Sequence, residues 1–290
     1  MIVARSPADL APAERAVALG TFDGVHRGHR AVIEAVKAAG LRSTVLTFDP
    51  HPRLVLGYEV QLLTTLERRL ELIEEIGPDE VLLVEFTQEL SRHEPEEFVG
   101  EYLTGIGAKV VVAGENFRFG AGRRGDVALL RSLGLDVRPV PLLEDVSSSR
   151  IRELVREGDL PTAAALLGRP FELEGEVVYG DQRGGTLGFP TANLSPDPHM
   201  LVPAYGIYAG QALSHRVAAS IGVNPHYGGS ERRIEAFLLD FEGDLYGSRL
   251  RLELWERLRE ERAFASEDDL VAQIAADVEA ARAARRPPRG

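Results

Sequence analysis

The stretch AVALGTFDGVHRGHRAVIEAV, residues 16–36, joins an apolar run to a glycine-containing loop and then to a segment with helical periodicity. Residues 16–19 are short and apolar, which predicts a buried strand. Residues 29–39 carry apolar side chains at helical spacing, and Gly40 follows where helices commonly end. A strand that leads through a short loop into a helix is the repeating unit of a parallel sheet.

The same alternation continues to about residue 167. Four further strands are predicted at residues 43–48, 81–86, 110–113 and 137–140. A helix is predicted at residues 66–76, where Gly77 ends the pattern. Near-continuous apolar strands that alternate with helices indicate a parallel sheet covered on both faces. We therefore predict a doubly wound α/β domain over residues 1–168.

A different pattern begins after Gly168. Strand-like runs separated by turn residues follow one another at residues 172–179, 206–213, 217–223, 234–241 and 249–258. Successive strands of this kind are typical of an antiparallel barrel or sandwich. A helix is predicted over residues 267–284 with Ser266 as its N-cap, and residues 285–290 are expected to be disordered. We assign residues 169–290 to this second domain.

Composition restricts the classes of function. The chain has 290 residues, a formal net charge of −12 and no cysteine. The negative charge argues against broad binding to nucleic acid or anionic lipid, because phosphate polymers would be repelled. The lack of cysteine excludes disulfides and thiolate chemistry. No apolar run approaches the roughly 20 residues of a membrane span, so we expect a cytoplasmic protein without nucleic-acid or membrane partners.

The loop after the first predicted strand has the features of a phosphate site. Gly20 and Gly24 allow a tight turn close to a ligand, and the helix start offers free N–H groups and a positive dipole end. His26 and His29 are about one helical turn apart and can face one ligand, with Gly28 leaving space between them. Imidazoles there would stabilise charge during phosphoryl transfer. Spacing alone leaves a zinc-binding pair and a simple helix cap as alternatives.

Three more segments follow predicted strands and are expected on the same edge of the sheet. They are FDPHP at residues 48–52, GENFRFG at residues 114–120 and SSSRIR at residues 147–152. The arginines of the last segment could hold phosphate. Its serines could equally cap a helix, and the aromatic pair Phe117 and Phe119 could equally belong to the core.

GTFDGVHRGH at residues 20–29 resembles the HxGH signature of nucleotidyltransferases, and in this form it is similar to the FAD synthetase module of the prokaryotic bifunctional riboflavin kinase/FAD synthetase family. The resemblance implies transfer of AMP from ATP to FMN, with catalytic roles for His26, His29 and Arg152. The phosphate-binding residues that it implies are Gly20, Phe22, Asp23, Gly24, Gly28, Ser148 and Ser149. The flavin-binding residues that it implies are Asp49, Pro50, Asn116, Phe117, Arg118 and Phe119.

The second half contains GGTLGFPTANL at residues 184–194, a glycine-rich loop followed by hard oxygen donors. Backbone amides of such a loop can wrap phosphates, and the side chains of Thr191 and Asn193 suit Mg²⁺. The alternative is an ordinary turn. Glu235 lies in an otherwise apolar run, where a charged residue usually faces solvent or is paired.

GFPTANL and the later IEAFLLDFEGDLYG, residues 234–247, resemble the riboflavin kinase module of the same family, a small antiparallel β-barrel with a closing helix. The resemblance implies that Gly188, Thr191 and Asn193 hold ATP phosphates, with Mg²⁺ on Thr191 and Asn193. It also implies that Glu235 is the catalytic base for the riboflavin 5′-hydroxyl.

The two resemblances together imply a bifunctional enzyme. It would make FMN from riboflavin and FAD from FMN, with Mg²⁺ as cofactor and ATP as co-substrate in both steps. Its partners would be these small molecules, and the chain is expected to be a monomer or a weak homo-oligomer. The rival interpretations are a nucleotidyltransferase for another phosphate and a flavin-binding regulator.

Overall fold

A six-stranded parallel sheet organises the amino-terminal half of the computed structural model, which describes residues 1–180, 189–223 and 232–289. Its strands are β1 (Ile2–Ala4), β2 (Arg15–Leu19), β3 (Arg42–Asp49), β4 (Glu80–Glu85), β5 (Ala108–Gly114) and β6 (Asp136–Val140). The order across the sheet is β1-β4-β3-β2-β5-β6. The prediction of a doubly wound α/β domain is confirmed, and the short edge strand β1 is an addition to it.

Five helices belong to this sheet. They are α1 (Arg27–Lys37), α2 (Pro52–Val55), α3 (Leu66–Ile76), α4 (Pro95–Tyr102) and α5 (Val127–Ser132). The α3 helix has the predicted bounds, because the Thr65 hydroxyl caps its start and Gly77, with φ +84°, ends it. The α1 helix begins two residues before the predicted start, because His26 acts as its N-cap.

Alternate residues of the strands enter two different cores. Ala16 and Ala18 of β2 pack with Ile33 of α1, whereas Val17 and Leu19 enter the cluster on the opposite face. That second cluster includes side chains of α4 and α5. Burial on both faces is the reason why these strands read as continuous apolar runs.

Strand order fixes where a ligand can bind in this unit. From β2, the chain proceeds through β3 and β4 on one side of the sheet and later through β5 and β6 on the other. The crevice outside the carboxyl ends of β2 and β5 is therefore the topological switch point, where open α/β sheets bind their ligands.

A buried ion-pair network ties the amino ends of the central strands together. The Arg15 Nε donates to Glu80 Oε1 at 2.6 Å, and both side chains are 1% exposed. Thr44 Oγ1 donates to the same oxygen at 2.8 Å, and Arg42 Nε donates to Glu80 Oε2 at 2.9 Å. Arg15 Nη1 also donates to the Ile106 carbonyl at 2.6 Å. The network thus joins the first residues of β2, β3 and β4 at the edge away from the switch point.

Replacing Arg15 with methionine would leave the buried Glu80 carboxylate with only part of its hydrogen bonds. We expect the free energy of unfolding to fall by about 3–5 kcal/mol, the usual cost of breaking a buried ion pair. Urea unfolding followed by circular dichroism measures this loss. The control is Arg138→Met, because Arg138 pairs with Asp136 where both side chains are half exposed, and such pairs contribute about 0–1 kcal/mol. Equal losses in the two variants would contradict the expectation.

Six antiparallel strands of the carboxyl-terminal half close into a barrel in the order β10-β11-β8-β7-β12-β9. They are β7 (Phe171–Val178), β8 (Ala192–Pro196), β9 (Gly206–Ala212), β10 (His215–Val223), β11 (Arg232–Leu238) and β12 (Arg249–Arg259). The barrel prediction is confirmed. The β8 strand was not predicted, because a short run beside PTAN reads as a turn.

Packing divides the chain into two units. The first contains Met1–Val60 and Thr65–Ser147, and the second contains Gln61–Thr64 and Ser148–Gly290. Two helices that precede the barrel, α6 (Ser148–Glu157) and α7 (Leu160–Leu167), therefore belong with the barrel, and their apolar side chains share its core. The domain boundary between residues 168 and 169 stays a prediction from sequence.

The predicted closing helix is present as α8 (Glu267–Ala283), and Ser266 is its N-cap. Val278 and Ala281 of this helix pack with Trp255 on the outside of the barrel. Asp277 of α8 accepts two close hydrogen bonds from the guanidinium of Arg259, with the shorter one at 2.6 Å. Among the described residues, no helix combines the length and the apolarity needed to cross a bilayer.

The expectation of a disordered tail is wrong for Arg286. Its Nε and Nη2 donate to the two carboxylate oxygens of Glu253 at 2.7 and 2.6 Å. The indole of Trp255 donates to Glu253 at 3.2 Å, and the guanidinium of Arg216 lies 4.4 Å from the Trp255 ring. The composition of the tail suggested disorder because it did not reveal this distant carboxylate.

Glu253 makes the stability of the barrel depend on pH. Burial raises the pKa of its carboxyl, but hydrogen bonds from Arg286 and Trp255 outweigh that effect and hold the pKa below its usual value. Its contribution is therefore complete above the ordinary glutamate pKa of about 4.3 and is lost as the pH falls through the folded-state pKa. Glu253→Gln should destabilise the barrel near pH 7 and cost progressively less in acid.

The fluorescence of Trp255, the single tryptophan of the chain, follows this unfolding directly. Urea titrations at several pH values would be compared for the protein, for Glu253→Gln and for Glu176→Gln, an exposed glutamate of β7. A loss in Glu253→Gln that stays constant from neutral pH to strong acid would show that the ion pair does not contribute as described.

Candidate active sites

The turn between β2 and α1 forms the floor of the first site. Phe22, Gly24 and Val25 have φ angles of +52°, +85° and +37°. Two residues with side chains thus adopt the left-handed region, which costs conformational energy and is found most often at functional sites. The Phe22 ring and the Asp23 carboxylate are both buried, at 1% and 2% exposure.

The two histidines lie together at the start of α1. His26 is the N-cap, and its Nδ1 accepts a hydrogen bond from the backbone N–H of His29 at 3.2 Å. The imidazole rings are stacked, with centroids 3.6 Å apart and 16° between their planes. The edge of the Phe22 ring supports His29 with a centroid distance of 5.2 Å. The helix-cap alternative therefore applies to His26, but it does not account for the stacked pair.

The zinc alternative lacks ligands. Within residues 1–180, 189–223 and 232–289, no three His, Cys, Asp or Glu side chains come together as a group that could hold a metal. A zinc centre needs at least three protein ligands, and the Nδ1 of His26 already accepts the capping hydrogen bond. The pair fits better with hydrogen bonding to an anion at a helix N-terminus.

A side chain at position 28 would crowd the His26 ring. A β-carbon added at Gly28 would lie 3.1 Å from Cε1 and 3.2 Å from Nδ1 of the His26 ring. Gly20 has a similar constraint, because a β-carbon there would lie 3.1 Å from the Phe22 ring. Both glycines of the motif therefore keep space for aromatic side chains of the same loop.

The loops after β3 and β5 carry the predicted flavin-binding residues. Asp49 is half-buried at the end of β3 and is joined to the exposed Pro50 by a cis peptide bond. Burial raises the pKa of the Asp49 carboxyl, although the charge of Arg69 acts against this effect. Both residues lie at the carboxyl edge of the sheet, as the sequence predicted.

The GENFRFG loop after β5 is divided between surface and core. Asn116 and Arg118 are exposed, and Arg118 pairs with Asp126. The rings of Phe117 and Phe119 stack with centroids 5.8 Å apart. Phe119 is 8% exposed and belongs to the core, whereas Phe117 is half-buried. The core alternative therefore applies to Phe119, and flavin contact by this loop stays a prediction.

Ser148, Ser149 and Arg152, the residues of SSSRIR that are predicted to bind or act on phosphate, belong to the second unit. Ser148 begins α6 and is half-buried, and Ser149 is exposed. Arg152 is 7% exposed, and its Nε donates to the carbonyl of Gln61 at 2.7 Å. The role of these residues toward a phosphate in the first unit stays a prediction.

Arg69 is a buried cation at the ligand-bearing edge that the sequence did not single out. It lies on α3, and only 4% of it is exposed. A signal was present, because Arg69 precedes the buried Leu72 and Ile73 by three and four residues and so occupies the apolar face of an amphipathic helix.

The second site is built by strand register. Asn193 of β8 and Glu235 of β11 are directly opposite each other in the antiparallel ladder. Side chains of such a pair share one face of the sheet. Thr191 directly precedes the first residue of β8. The neighbouring Ala192 and Ala236 enter the barrel core. Asn193 and Glu235 therefore share the outer face of the barrel.

Gly180 provides the space for Asn193. A β-carbon at Gly180 would lie within 2.6 Å of Asn193 Oδ1 and would overlap the rest of the amide group. Gly180 follows β7, the strand that pairs with β8. The amide of Asn193 is thus held against a backbone that only glycine leaves open. Gly188 of the predicted phosphate loop lies outside the described residues.

A cavity of about 160 Å³ opens beside Thr191. Its lining includes Pro190, Leu245 and Tyr246. The Tyr246 ring stacks on the exposed Tyr179 with centroids 4.1 Å apart. Because ligand pockets usually measure roughly 300–1,000 Å³, this cavity fits one part of a ligand, such as an aromatic ring.

A second carboxylate lies on the same outer face. A β-carbon at Gly222 of β10 would overlap the carboxylate of Glu261, and Gly222 pairs with Arg233 of β11, two residues from Glu235. Burial raises the pKa of the Glu261 carboxyl, whereas the charge of Arg259 lowers it. No local sequence pattern marks Glu261, because its partner is distant in the chain.

Comparisons with known proteins match both halves of the chain to one family each. The model of the FAD synthetase family matches residues 9–151, and that of the riboflavin kinase family matches residues 167–285. A bifunctional riboflavin kinase/FMN adenylyltransferase from Listeria monocytogenes is 36% identical over 288 residues, which cover 93% of this chain and 92% of that protein. The protein of the same name from Escherichia coli K12 is 36% identical, and the matched residues cover 92% of each chain.

A solved structure has the same fold over the full length. It is the crystal structure of a protein from Streptococcus pneumoniae described as a macrolide-efflux protein. The two chains are 31% identical, the TM-score is 0.89, and the match covers 98% of this chain and 99% of the other.

Proposed function

Because this chain belongs to the bifunctional riboflavin kinase/FMN adenylyltransferase family, we propose that it makes FMN from riboflavin and then FAD from FMN. The second unit transfers the γ-phosphoryl group of ATP to riboflavin. The first unit transfers AMP from another ATP to FMN and releases pyrophosphate. The observation that carries the proposal is that one chain contains both a stacked histidine pair at a helix start and an Asn–Glu pair on a barrel.

In the kinase step, Glu235 is the proposed base. Its carboxylate would orient the riboflavin 5′-hydroxyl and accept the proton as the oxygen attacks the γ-phosphorus, and ADP leaves. The rigid ladder that places Glu235 opposite Asn193 supports this role, because such transfers depend chiefly on positioning and on neutralisation of charge.

The donors Thr191 and Asn193 fit Mg²⁺. A hydroxyl and an amide carbonyl are hard oxygen ligands, and Mg²⁺ is usually bound by few protein groups together with substrate phosphates and water. When bound, the ion would neutralise charge on the phosphates. The cavity beside Thr191 and the neighbouring Tyr246 support placement of the adenine ring of ATP there.

In the adenylylation step, an oxygen of the FMN phosphate attacks the α-phosphorus of ATP. The phosphate is already ionised near neutral pH, so the site has to stabilise charge rather than remove a proton. His26 and His29, at the positive end of α1, are suited to donate hydrogen bonds to the phosphate oxygens. We assign Arg152, Ser148 and Ser149 to the triphosphate on family resemblance.

The flavin of the adenylylation step is assigned to the loops after β3 and β5. Asp49 and Pro50 would contact it from one side, and Asn116, Phe117 and Arg118 from the other. Phe119 would support the Phe117 ring, since the two rings stack. A nucleotidyltransferase for another phosphate would not need the barrel site, which favours the flavin pathway over that rival.

We further propose that the protein acts in the cytoplasm on small molecules, as a monomer or a weak homo-oligomer. Its net charge of −12 supports the absence of nucleic-acid partners, because phosphate polymers would be repelled. Small-molecule phosphates can still enter a local site that supplies helix-end and side-chain donors.

The two steps should be separable by single substitutions. Glu235→Gln should lower FMN formation by about 10²–10⁴-fold, the usual contribution of a positioned base, and should spare FAD formation from supplied FMN. His29→Ala should do the reverse. Chromatography of products, with riboflavin and FMN supplied in separate assays containing ATP and Mg²⁺, measures both steps.

Wild-type protein that yields neither FMN nor FAD would overturn the proposed function. Variants that stay folded but lose both steps together would contradict the assignment of the two steps to different residues.

Two glycines allow a test of geometry without removing any reacting group. Gly28→Ala should lower FAD formation by about 10–100-fold by displacing His26, although alanine favours the helix by about 1 kcal/mol. Gly180→Ala should lower FMN formation to a similar extent by displacing Asn193. The kinetic constants of each step and thermal unfolding measure the two effects.

Gly100→Ala on α4 is the matched control, because a β-carbon there meets no atom within 4 Å. It should leave both steps unchanged. If Gly28→Ala behaved like Gly100→Ala, the contact between residue 28 and the His26 ring would have no role in catalysis.

A further inference from the structure

We infer that Arg69 is a positioning residue of the adenylyl-transfer site, because its guanidinium joins the loop that carries GTFDG to the loop that carries FDPHP. This inference rests on the proposed function of the first unit. It goes beyond the site residues that family resemblance assigns. Charged side chains are almost never buried unless they are paired, so a buried arginine at the ligand-bearing edge requires an explanation.

The hydrogen bonds of Arg69 reach both loops. Its Nη1 donates to the Thr21 carbonyl at 3.1 Å, and its Nη2 donates to the Phe48 carbonyl at 2.9 Å. Nη2 also lies 3.7 Å from Asp49 Oδ1. The planar guanidinium holds these acceptors at a fixed separation, which a flexible ammonium group cannot reproduce.

The hydrogen bond from Arg69 to the Thr21 carbonyl connects Arg69 to the histidines. Thr21 directly precedes Phe22, whose backbone is in the left-handed region and whose ring contacts His29. The Thr21 carbonyl also accepts a hydrogen bond from Thr47 Oγ1 at 3.1 Å. Loss of the Arg69 bond would let the loop relax and would move the Phe22 ring that supports His29.

The hydrogen bond from Arg69 to the Phe48 carbonyl connects Arg69 to the proposed flavin-binding loop. Phe48 directly precedes Asp49 and Pro50, so the Arg69 bond fixes the start of the FDPHP loop. Arg69 therefore sets the distance between the α-phosphate contacts and one wall of the FMN site. Reaction requires the FMN phosphate to approach the α-phosphorus closely, and a shift of about 1 Å can cost roughly 10²-fold in rate.

The guanidinium of Arg69 interacts electrostatically with one carboxylate in each of the two loops. Burial lowers the pKa of its guanidinium, and the carboxylates of Asp23 and Asp49 act in the opposite direction. Arg69 keeps its charge because arginine is not deprotonated in proteins. A cation in this place opposes the repulsion between the two carboxylates and the incoming phosphates.

The adjacent Arg68 is a matched comparison on the same helix. Arg68 is equally buried, at 4% exposure, but its Nη1 donates to Glu71 at 2.9 Å and to Glu75 at 3.1 Å. Both of these acceptors belong to α3 itself. Arg69, by contrast, donates to the backbone of two ligand-bearing loops.

The test compares Arg69→Met, Arg69→Lys and Arg68→Met in the full-length protein. FAD formation from FMN and ATP, FMN formation from riboflavin and ATP, and thermal unfolding are measured for each variant. We expect Arg69→Met to lower kcat of FAD formation by about 10²-fold, with a smaller change in KM and with FMN formation unchanged. Arg69→Lys should recover part of kcat, because it keeps the charge and can reach one carbonyl.

Three results would overturn the inference. They are an equal loss in Arg68→Met, a fall in thermal stability with kcat of the folded fraction unchanged, or a parallel loss of FMN formation. If Arg69→Met does not fold, Arg69→Lys decides, because wild-type kcat in that variant would exclude a need for the planar contact. Failure of the proposed function is distinct, since wild-type protein would then make no FAD at all.

Discussion

The turn from β2 into α1 is the constraint on which the first site depends. The central strand ends at a topological switch point, and the chain must enter a helix within a few residues. It does so with Phe22 and Val25 in the left-handed region, which is unfavourable for residues that have side chains. The packing that compensates this cost also buries Phe22 against His29. Strain in the loop and placement of the histidines are therefore two results of one turn.

In the barrel, the positions of the candidate site residues are fixed by strand pairing instead of by a strained turn. Asn193 and Glu235 belong to paired strands, so their separation is set by the hydrogen-bonded ladder rather than by a loop. Alternation along β8 and β11 sends their neighbours into the core and these two side chains to the outer face. A shift of one residue in register would bury both polar groups and expose the alanines between them. The fold of the barrel and the geometry of its site are thus fixed by the same pattern.

Periodicity predicted the elements that have long apolar patterns, and it missed those that lack them. The α3 helix has its predicted bounds because a threonine cap and a glycine stop are local signals. The β1 strand has three residues, two of them exposed, and therefore carries no pattern. The contacts of Gly180 with Asn193 and of Arg286 with Glu253 join residues that are distant in sequence, so no local signal could reveal them. Motifs predicted where the sites lie, whereas only packing identifies the residues that would hold them in shape.

Two buried arginines at opposite edges of the sheet illustrate this difference. At the amino edge, Arg15 meets Glu80 at 2.6 Å, and the charges compensate each other within a closed network. At the carboxyl edge, Arg69 gives its hydrogen bonds to backbone carbonyls, and its Nη2 lies 3.7 Å from Asp49 Oδ1. A cation bound mainly to neutral acceptors keeps more of its field than one in a tight ion pair, and that field weakens little across a buried, poorly screened distance. The amino-edge arginine can therefore serve stability alone, while the carboxyl-edge arginine also favours negative charge beside the loops that are proposed to receive phosphate.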